Sequence, residues 1–168
     1  MTELRRPEPL DTRRHDRAAF DSGEPVLDEW IRRYAGQNRR RHTAATWVIA
    51  DAEDRIVAYA SMSITAIDRS AAPEEVVKGA PDPVPALLIG RLAVDRSGLG
   101  VGTALLGHLL ATALELNLSA ACRAVVVTAL TPAARGWWER FGFRPLDGED
   151  GLDLYLLTHD IEVTLRNI

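Results

Sequence analysis

A glycine-rich turn between an apolar strand and a leucine-rich helix is the feature that most restricts how this chain can fold. The turn runs from Asp95 to Gly102, with glycine at positions 98, 100 and 102. Ala86 to Val94 before it is an almost continuous apolar run, typical of a strand buried on both faces. After it, leucines repeat at helical spacing from Thr103 to about Asn117. This order predicts a strand–turn–helix unit within an α/β fold.

The glycine turn has the chemistry of an anion-binding site. It brings backbone N–H groups to the positive end of a helix dipole, and alternating glycines let a phosphate approach the main chain closely. A P-loop is excluded because Gly102 is followed by Thr103 and Ala104, where a lysine and a hydroxyl residue would be needed. The spacing also differs from the dinucleotide-binding fingerprint G-x-G-x-x-G, because the third glycine of this chain comes one position early. The turn therefore predicts a phosphate site, with close packing alone as the alternative.

The remaining elements predict a mixed sheet with helices against it. A helix begins near Pro25, with an apolar stripe made of Val26, Leu27, Trp30, Ile31 and Tyr34. The other predicted elements are strands Thr46–Ala50, Arg55–Ile67 and Ala124–Ala129, a helix capped by Thr131 and ending at Gly142, and a hairpin of Phe143–Leu146 with Leu152–Leu157. Prolines between Asp68 and Pro85 argue against a long element there. Without a repeat or linker, residues 1–168 are predicted to form one domain.

Composition excludes several classes of protein. The single cysteine, Cys122, cannot form an internal disulfide, and the four histidines lack zinc-ligand spacing, so no metal site is predicted. The first twenty residues carry five arginines and no apolar segment, which is unlike a secretory signal. The longest apolar stretch is too interrupted to span a membrane. We therefore expect a cytoplasmic protein, and the net charge of −4 argues against one coated in positive charge.

One segment departs from this acidic balance. Between Trp30 and Ala50 there is no acidic residue, and the segment contains Arg32, Arg33, Arg39, Arg40 and Arg41. Such a run can bind the phosphates of a nucleic acid. The alternative is a solvated helix face or a docking surface for an acidic partner. Arg91 lies inside the apolar strand, where a buried cation must pair with Asp95 or another carboxylate, or face a substrate cleft.

Further motifs make the sequence similar to a known family. Arg91-Leu92-Ala93-Val94-Asp95, followed by the three glycines and Leu105-Leu106, resembles the acetyl-coenzyme A binding core of the GNAT N-acetyltransferases. The resemblance extends to the tRNA-acetylating toxins of type II toxin–antitoxin modules through Phe20-Asp21-x-Gly23, Leu27-x-x-Trp30, Pro81-Asp82-Pro83-Val84-Pro85, Ala129-Leu130-Thr131-x-x-Ala134 and Phe141-Gly142-Phe143. It implies a single-domain GNAT fold, with a mixed central sheet, a splayed parallel strand pair and flanking helices.

The resemblance also implies how the residues are used. Acetyl-CoA would lie with its pyrophosphate on the loop and its pantetheine arm along the strand edge, on Leu92, Ala93, Val94, Arg96, Ser97, Gly98, Leu99, Gly100, Val101, Gly102 and Thr103. Charged tRNA is the implied acceptor, and its expected contacts are Arg39, Arg40, Arg41 and Arg91. A ribbon-helix-helix antitoxin is the implied partner, and a homodimer is allowed.

Two positions depart from the family pattern. The loop is two residues short, with Ser97 where glutamine, arginine or histidine is usual. Arg96 beside it either replaces the lost phosphate contact or is held at the surface by Asp95. Trp138 stands where the toxins carry a tyrosine that protonates the departing thiolate, and an indole N–H is not an acid.

The sequence therefore leaves three hypotheses for the function. In the first, the chain is a toxin that acetylates charged tRNA. In the second, it acetylates a small amine or a protein, and in the third it binds CoA as a weakly catalytic partner of a DNA-binding antitoxin. Tyr34 and Tyr155 could substitute as proton donors, but both are expected to be half-buried core aromatics, and neither is predicted to be catalytic.

Overall fold

A computed structural model of the chain describes residues 3–98 and 100–168. The strands are β1 (Glu8–Pro9), β2 (Ala45–Ala50), β3 (Ile56–Ile67), β4 (Val84–Val94), β5 (Ala124–Thr128), β6 (Arg144–Pro145) and β7 (Asp153–Leu157). The helices are α1 (Pro25–Glu29), α2 (Ala35–Arg40), α3 (Glu74–Val77), α4 (Val101–Asn117), α5 (Pro132–Glu139) and α6 (Ile161–Arg166). None of the helices in the described ranges is long and apolar enough to cross a lipid bilayer.

The strands form a mixed seven-stranded sheet in the order β1-β2-β3-β4-β5-β7-β6. β4 and β5 are the parallel pair, with Ala86–Ile89 opposite Ala124–Val127. β5 ends at Thr128, one residue past this pairing, whereas β4 continues to Val94. Residues 92–94 therefore lie beyond the end of β5 in this register. The predicted mixed sheet, its parallel pair and the flanking helices are confirmed.

The chain divides into two compact units, of which the first comprises the chain up to Ser63 together with Gly90–His108. Its core is aromatic and surrounds Tyr59, which is fully buried. Trp30 stacks on the Tyr59 ring with 5.7 Å between centroids, and Phe20 meets that ring edge-on at 5.4 Å. The Tyr59 hydroxyl donates to the Leu27 carbonyl at 2.6 Å, which satisfies the buried polar group.

The second unit comprises Ile64–Ile89 and Leu109–Ile168. One of its apolar clusters includes Val76 of α3 and Tyr155 of β7. The Tyr155 hydroxyl donates to the Glu75 carboxylate. Burial and this acidic neighbour raise the pKa of Tyr155 to about 12. The proline-rich connection holds the four-residue helix α3 as its longest helix, in agreement with the prediction of no long element there.

The first helix differs from the prediction in one turn. Between α1 and α2, Trp30–Tyr34 is π-helical, and the N–H of Ala35 donates to the Trp30 carbonyl five residues back. The extra residue in this turn rotates the side chains of α2 by about 100° around the helix axis. Ala35 is therefore buried, whereas Tyr34 is 44% exposed. The predicted place of Tyr34 in the apolar stripe is wrong, and so is that of Val26, which is exposed in the first turn of α1.

Candidate active site

A hydrogen-bond network around Asp95 holds the loop after β4. The Asp95 N–H donates to the Val57 carbonyl at 2.7 Å. Its carboxylate accepts from the Asp21 N–H at 2.8 Å, and from the Ser97 N–H and hydroxyl at 3.0 and 2.6 Å. Burial acts to raise the pKa of Asp95, but the bonds from Ser97 and Asp21 outweigh it and hold the pKa below its ordinary value. The ionised carboxylate thus shapes the loop.

Two of the loop glycines are required for different reasons. A Cβ on Gly98 would lie 2.2 Å from Val57 Cγ1 and 3.3 Å from the Val57 carbonyl oxygen, so packing leaves no room for a side chain. Gly100 has φ +86°, which disfavours other residues, yet among the described residues other than its chain neighbours no atom lies within 4 Å of where its Cβ would be. Leu99 lies outside the described residues. Gly98 therefore fits the loop against β3, and Gly100 borders open space.

The helix after the loop provides the anion-binding groups. α4 is 17 residues long, and the N–H groups of Gly102 and Thr103 in its first turn have no acceptor within the helix. The N–H of Gly98 donates to the Asp95 carbonyl at 2.8 Å, and that of Val101 to the Gly98 carbonyl at 3.2 Å. The donors aligned with the helix dipole are thus those of Gly102 and Thr103, whereas Ser97 already bonds to Asp95.

Arg96 is held by a carboxylate other than the expected one. Its Nε lies 3.5 Å from Oδ1 of Asp21, and both side chains are exposed. Its Nη2 lies 3.1 Å from the position that a Cβ on Gly23 would take. The alternative in which Asp95 holds Arg96 at the surface is wrong, because the Asp95 oxygens bond to Asp21 and Ser97. A solvent-exposed ion pair of this kind is weak, so Arg96 can exchange it for a phosphate.

A cavity of about 430 Å³ lies beside the loop but is unsuited to phosphate. Ser97, Gly98 and Val101 line one side of it, and the carboxylates of Asp16, Asp51 and Asp95 also line it. Among its described lining residues Arg55 is the cationic one, and its Nε is bonded to Asp51 at 3.1 Å. An anionic ligand would meet like charge here.

Arg91 is half-buried and interacts with an aromatic ring. Its Cζ lies 4.6 Å from the centroid of the Trp30 ring, a cation–π contact. Within the described part of the chain, no carboxylate lies within ion-pair distance of Arg91, so the alternative in which it pairs with Asp95 or another carboxylate is wrong. Burial raises the pKa of nearby Tyr59, and the Arg91 charge opposes this rise. Leu92 and Val94 are half-buried, and Ala93 is buried.

A packed indole occupies the position at which the resemblance predicts the family's tyrosine. Trp138 is 6% exposed, and its ring meets Phe143 at 5.1 Å and Trp137 at 5.0 Å between centroids, both edge-on. α5, which carries it, is capped as predicted, because the Thr131 hydroxyl oxygen accepts from the Ala134 N–H at 3.1 Å. The two other phenols considered at the sequence level differ. Tyr155 lies in a core, as expected, but is buried and not half-buried, whereas Tyr34 is at the surface, so the expectation for Tyr34 is wrong.

The arginine segment is exposed along α2. Arg39, Arg40 and Arg41 are all exposed, and the Arg39 guanidinium donates to the Leu10 carbonyl. Across residues 3–98 and 100–168, none of these three lies within ion-pair distance of a carboxylate, whereas Arg33 is paired with Glu29 at 3.4 Å. Three exposed cations without a carboxylate partner thus lie at the C-terminal end of α2 in an acidic protein.

Sequence reasoning missed Arg17, which lies against this helix. Its Nη1 donates to the carbonyls of Ile31 at 3.3 Å and Arg32 at 3.2 Å. These carbonyls belong to the π-helical turn, where the regular pattern of helix hydrogen bonds is interrupted. No local signal connects position 17 with residues 31 and 32, because the contact depends on the tertiary fold.

Comparisons with known proteins agree on one family. The model of the acetyltransferase (GNAT) family matches residues 7–143. A tRNA-acetylating toxin from Mycobacterium tuberculosis is 34% identical over 147 residues, which cover 86% of this chain and 87% of that protein. Among solved structures, AtaT complexed with acetyl-methionyl-tRNAfMet has a TM-score of 0.86 at 26% identity, covering 96% of this chain and 98% of that chain. A tyrosine-to-phenylalanine mutant of the AtaT toxin, bound to the C-terminus of the antitoxin AtaR and acetyl-CoA, has a TM-score of 0.81 at 25% identity, with 96% and 97% covered.

Proposed function

The chain belongs to the GNAT acetyltransferase family and is an acetyl-CoA-dependent N-acetyltransferase, and from this we propose that its acceptor is the amino group of an aminoacyl-tRNA. Acetylation of that amine blocks its use in peptide-bond formation, so the protein would act as a toxin that stops translation. The observation that carries the proposal is the group of three exposed cations, Arg39, Arg40 and Arg41, without a carboxylate partner in the described chain, on a protein of net charge −4. Such a group suits a phosphate backbone.

The loop fits the phosphates of acetyl-CoA. In our proposal the amides of Gly102 and Thr103 hold the pyrophosphate, and Gly100 borders the space through which it approaches. The weakly paired Arg96 supplies a side-chain contact. Bound acetyl-CoA contributes an acetyl group activated as a thioester.

The strand before the loop provides the contacts for the pantetheine arm in this proposal. Leu92, Ala93 and Val94 lie beyond the end of β5 in the parallel register, so backbone groups on that side of β4 can hydrogen-bond an amide-bearing ligand like an added strand. An N–H of Ala93 or Val94 then polarises the acetyl carbonyl, and this interaction strengthens as negative charge develops on the oxygen. This step requires no side chain.

Protonation of the departing thiolate is the step at which this chain differs from the family pattern, because it carries Trp138 in place of a tyrosine. Trp138 can donate a hydrogen bond through its indole N–H, but it cannot give up that proton at any useful pH. We propose that it stabilises the departing sulfur by hydrogen bonding or by packing, and that the reaction proceeds without a general acid at this position. General acids typically contribute ~10²-fold to 10⁴-fold, which leaves positioning and carbonyl polarisation to supply the larger share.

An antitoxin is the proposed partner. The AtaT mutant is bound to the C-terminus of its antitoxin, and this likeness supports a similar partner for this chain. We propose a ribbon-helix-helix protein in this role. Copurification with the product of a neighbouring gene, and restored growth when both are expressed, would test it.

The acceptor can be tested with radiolabelled acetyl-CoA. The purified protein is incubated with a mixture of aminoacyl-tRNAs, with the same tRNAs after deacylation, and with small primary amines and a protein mixture. We expect label only on the aminoacyl-tRNA sample, and acetyl-amino acids after mild base hydrolysis. Label on small amines or proteins, with none on aminoacyl-tRNA, would replace this function with one of the other acceptors.

A further inference from the structure

The cavity of about 430 Å³ beside the loop after β4 has no role in the proposed function. Its volume lies within the range of roughly 300–1,000 Å³ that is usual for small-ligand sites. Its floor is apolar, because Phe20, Ile56 and Val57 line it and are buried. Gly98 and Val101 line it on the side of the loop. The cavity is therefore built by the tertiary fold, from the segment before α1, the start of β3 and the loop.

The lining of this cavity carries more negative than positive charge. The carboxylates of Asp16, Asp51 and Asp95 line it, and Arg55 is the cation among its described lining residues. The Arg55 guanidinium is already engaged, since its Nε lies 3.1 Å from Asp51 and its Nη2 lies 3.3 Å from Glu53. Burial acts to raise the pKa of Asp51 and of Asp95, but hydrogen bonds outweigh it and keep both ionised at neutral pH. The cavity therefore attracts a cation.

The arrangement of the carboxylates favours an organic cation over a metal ion. Among residues 3–98 and 100–168, no three histidine, cysteine or acidic side chains come close enough together to hold a metal ion. The carboxylates of the cavity are thus spread around it and do not converge on one point. An apolar floor between separated carboxylates suits a lysine or arginine side chain, because its methylene stem packs on apolar surface while its charged head bonds to a carboxylate.

The rim of the cavity favours a polypeptide over a free amine. Leu4 lines the cavity and is 41% exposed, and Ala19 beside it is also exposed. A small amine would leave these apolar side chains in water, whereas the residues that flank a lysine or arginine in a polypeptide can pack on them.

We propose that this cavity binds a lysine or arginine side chain of a partner polypeptide, which thereby lies against Ser97, Gly98 and Val101 of the loop. The partner is the antitoxin, and in this respect the inference rests on the proposed function. The shape and charge of the cavity are independent of that function.

Asp16→Asn and Ala19→Leu test the cavity in two independent ways. Asp16→Asn removes one charge and keeps the side-chain oxygen that accepts from the Ala18 N–H at 2.9 Å. Ala19→Leu keeps every charge and fills part of the cavity. The matched controls are Asp150→Asn and Ala120→Leu, which make the same changes at exposed positions outside the cavity. Circular dichroism and thermal melts check that each variant is folded.

Binding is measured first with a probe of known chemistry. Nα-acetyl-arginine methylamide is titrated into isotope-labelled protein, with Nα-acetyl-citrulline methylamide as its neutral isostere, and NMR follows the amides of Val57, Gly98 and Val101. We expect saturable shifts with the arginine derivative alone. Its dissociation constant should rise on the order of tenfold in each cavity variant, which is the size expected for a lost charge-assisted hydrogen bond. Both controls should match the parent.

The same five proteins are then compared in their affinity for the antitoxin, tested as the purified product of the neighbouring gene. We expect each cavity variant to weaken this complex on the order of tenfold, with both controls at the parent's affinity.

Several outcomes overturn the proposal. If the arginine and citrulline derivatives bind equally, or the cavity variants bind the arginine derivative like the parent, the cavity is not a site for a basic side chain. If Asp16→Asn alone weakens binding, Asp16 acts as general surface charge. If the cavity variants lose the arginine derivative but bind the antitoxin like the parent, or the parent does not bind it, the antitoxin does not dock here. The proposed function fails separately, when a parent protein that binds the arginine derivative in this cavity leaves aminoacyl-tRNA unacetylated.

Discussion

At the level of single residues, Gly100 is the sharpest test of the cofactor loop. Replacing it with alanine adds a methyl group where the phosphate is proposed to approach, and costs about 1–2 kcal/mol of backbone strain because φ is +86°. Gly148 has φ +83° and equally open surroundings, so Gly148→Ala carries the same strain without touching the loop. We expect Gly100→Ala to weaken CoA binding on the order of tenfold, as for a lost charge-assisted hydrogen bond. Equal CoA affinities for the two variants, measured by calorimetry, would move the phosphate site away from Gly100.

Replacing Trp138 should affect stability and catalysis in opposite directions. The indole contacts Phe143 and Trp137, so both Trp138→Phe and Trp138→Tyr should destabilise the fold by about 1–2 kcal/mol. Only tyrosine restores an acidic proton, and we expect its kcat to exceed that of the phenylalanine variant by on the order of 10²-fold. The measurement is steady-state acetylation of aminoacyl-tRNA by both variants and the parent. Equal kcat values for tyrosine and phenylalanine would show that proton donation from this position is not limiting.

At the level of elements, the helices show which signals can be read locally. The start of α1 at Pro25 and the cap of α5 at Thr131 follow from residues at the helix ends, and both were predictable. The π-helical turn was not, because the apolar spacing of Trp30, Ile31 and Tyr34 suits a regular α-helix equally well. What distinguishes the two is the burial of Ala35 and Gly36 and the support that Arg17 gives to the freed carbonyls. Such contacts depend on the fold and leave no trace in local spacing.

The cap of α5 provides a test at the same level. The Thr131 hydroxyl oxygen accepts from the Ala134 N–H at 3.1 Å, so Thr131→Ala should lower the free energy of unfolding by about 1 kcal/mol. Thr131→Ser keeps the acceptor and should retain most of that stability. Urea denaturation followed by circular dichroism measures both. If alanine and serine are equally stable, the hydroxyl contributes nothing, and α5 is held in place by its packed face around Trp138 alone.

For the whole molecule, the order of strands and helices from α1 to β7, apart from the short α3, could be read from the sequence because turns, caps and apolar runs are local, whereas β1 and the C-terminal helix α6 were not predicted. The arrangement around Asp95 could not. Its carboxylate accepts a hydrogen bond from Asp21, 74 residues away, and Arg96 pairs with the side chain of the same Asp21. Arg91 likewise depends on the distant Trp30 ring. The loop residues were therefore identified from the sequence, whereas the groups that orient them became visible only in the structure.

Acid sensitivity of the whole fold follows from carboxylates with lowered pKa, and Asp51 is the most buried of them. Burial acts to raise the pKa of Asp51, but bonds from the N–H groups of Arg55 and Glu53 and from the Arg55 guanidinium hold it below the ordinary value of 3.8. The unfolded chain therefore binds this proton at a higher pH than the folded one. The stability that Asp51 contributes is present above about pH 4 and is lost as the pH falls through the lowered pKa.

We expect the Tm to change little between pH 7 and 5 and to fall below pH 4, with a shallower fall in Asp51→Asn. Asp150→Asn, in an exposed loop, should keep the parent's acid dependence. Parallel acid dependence in all three proteins, measured by thermal melts, would assign the acid sensitivity to other carboxylates.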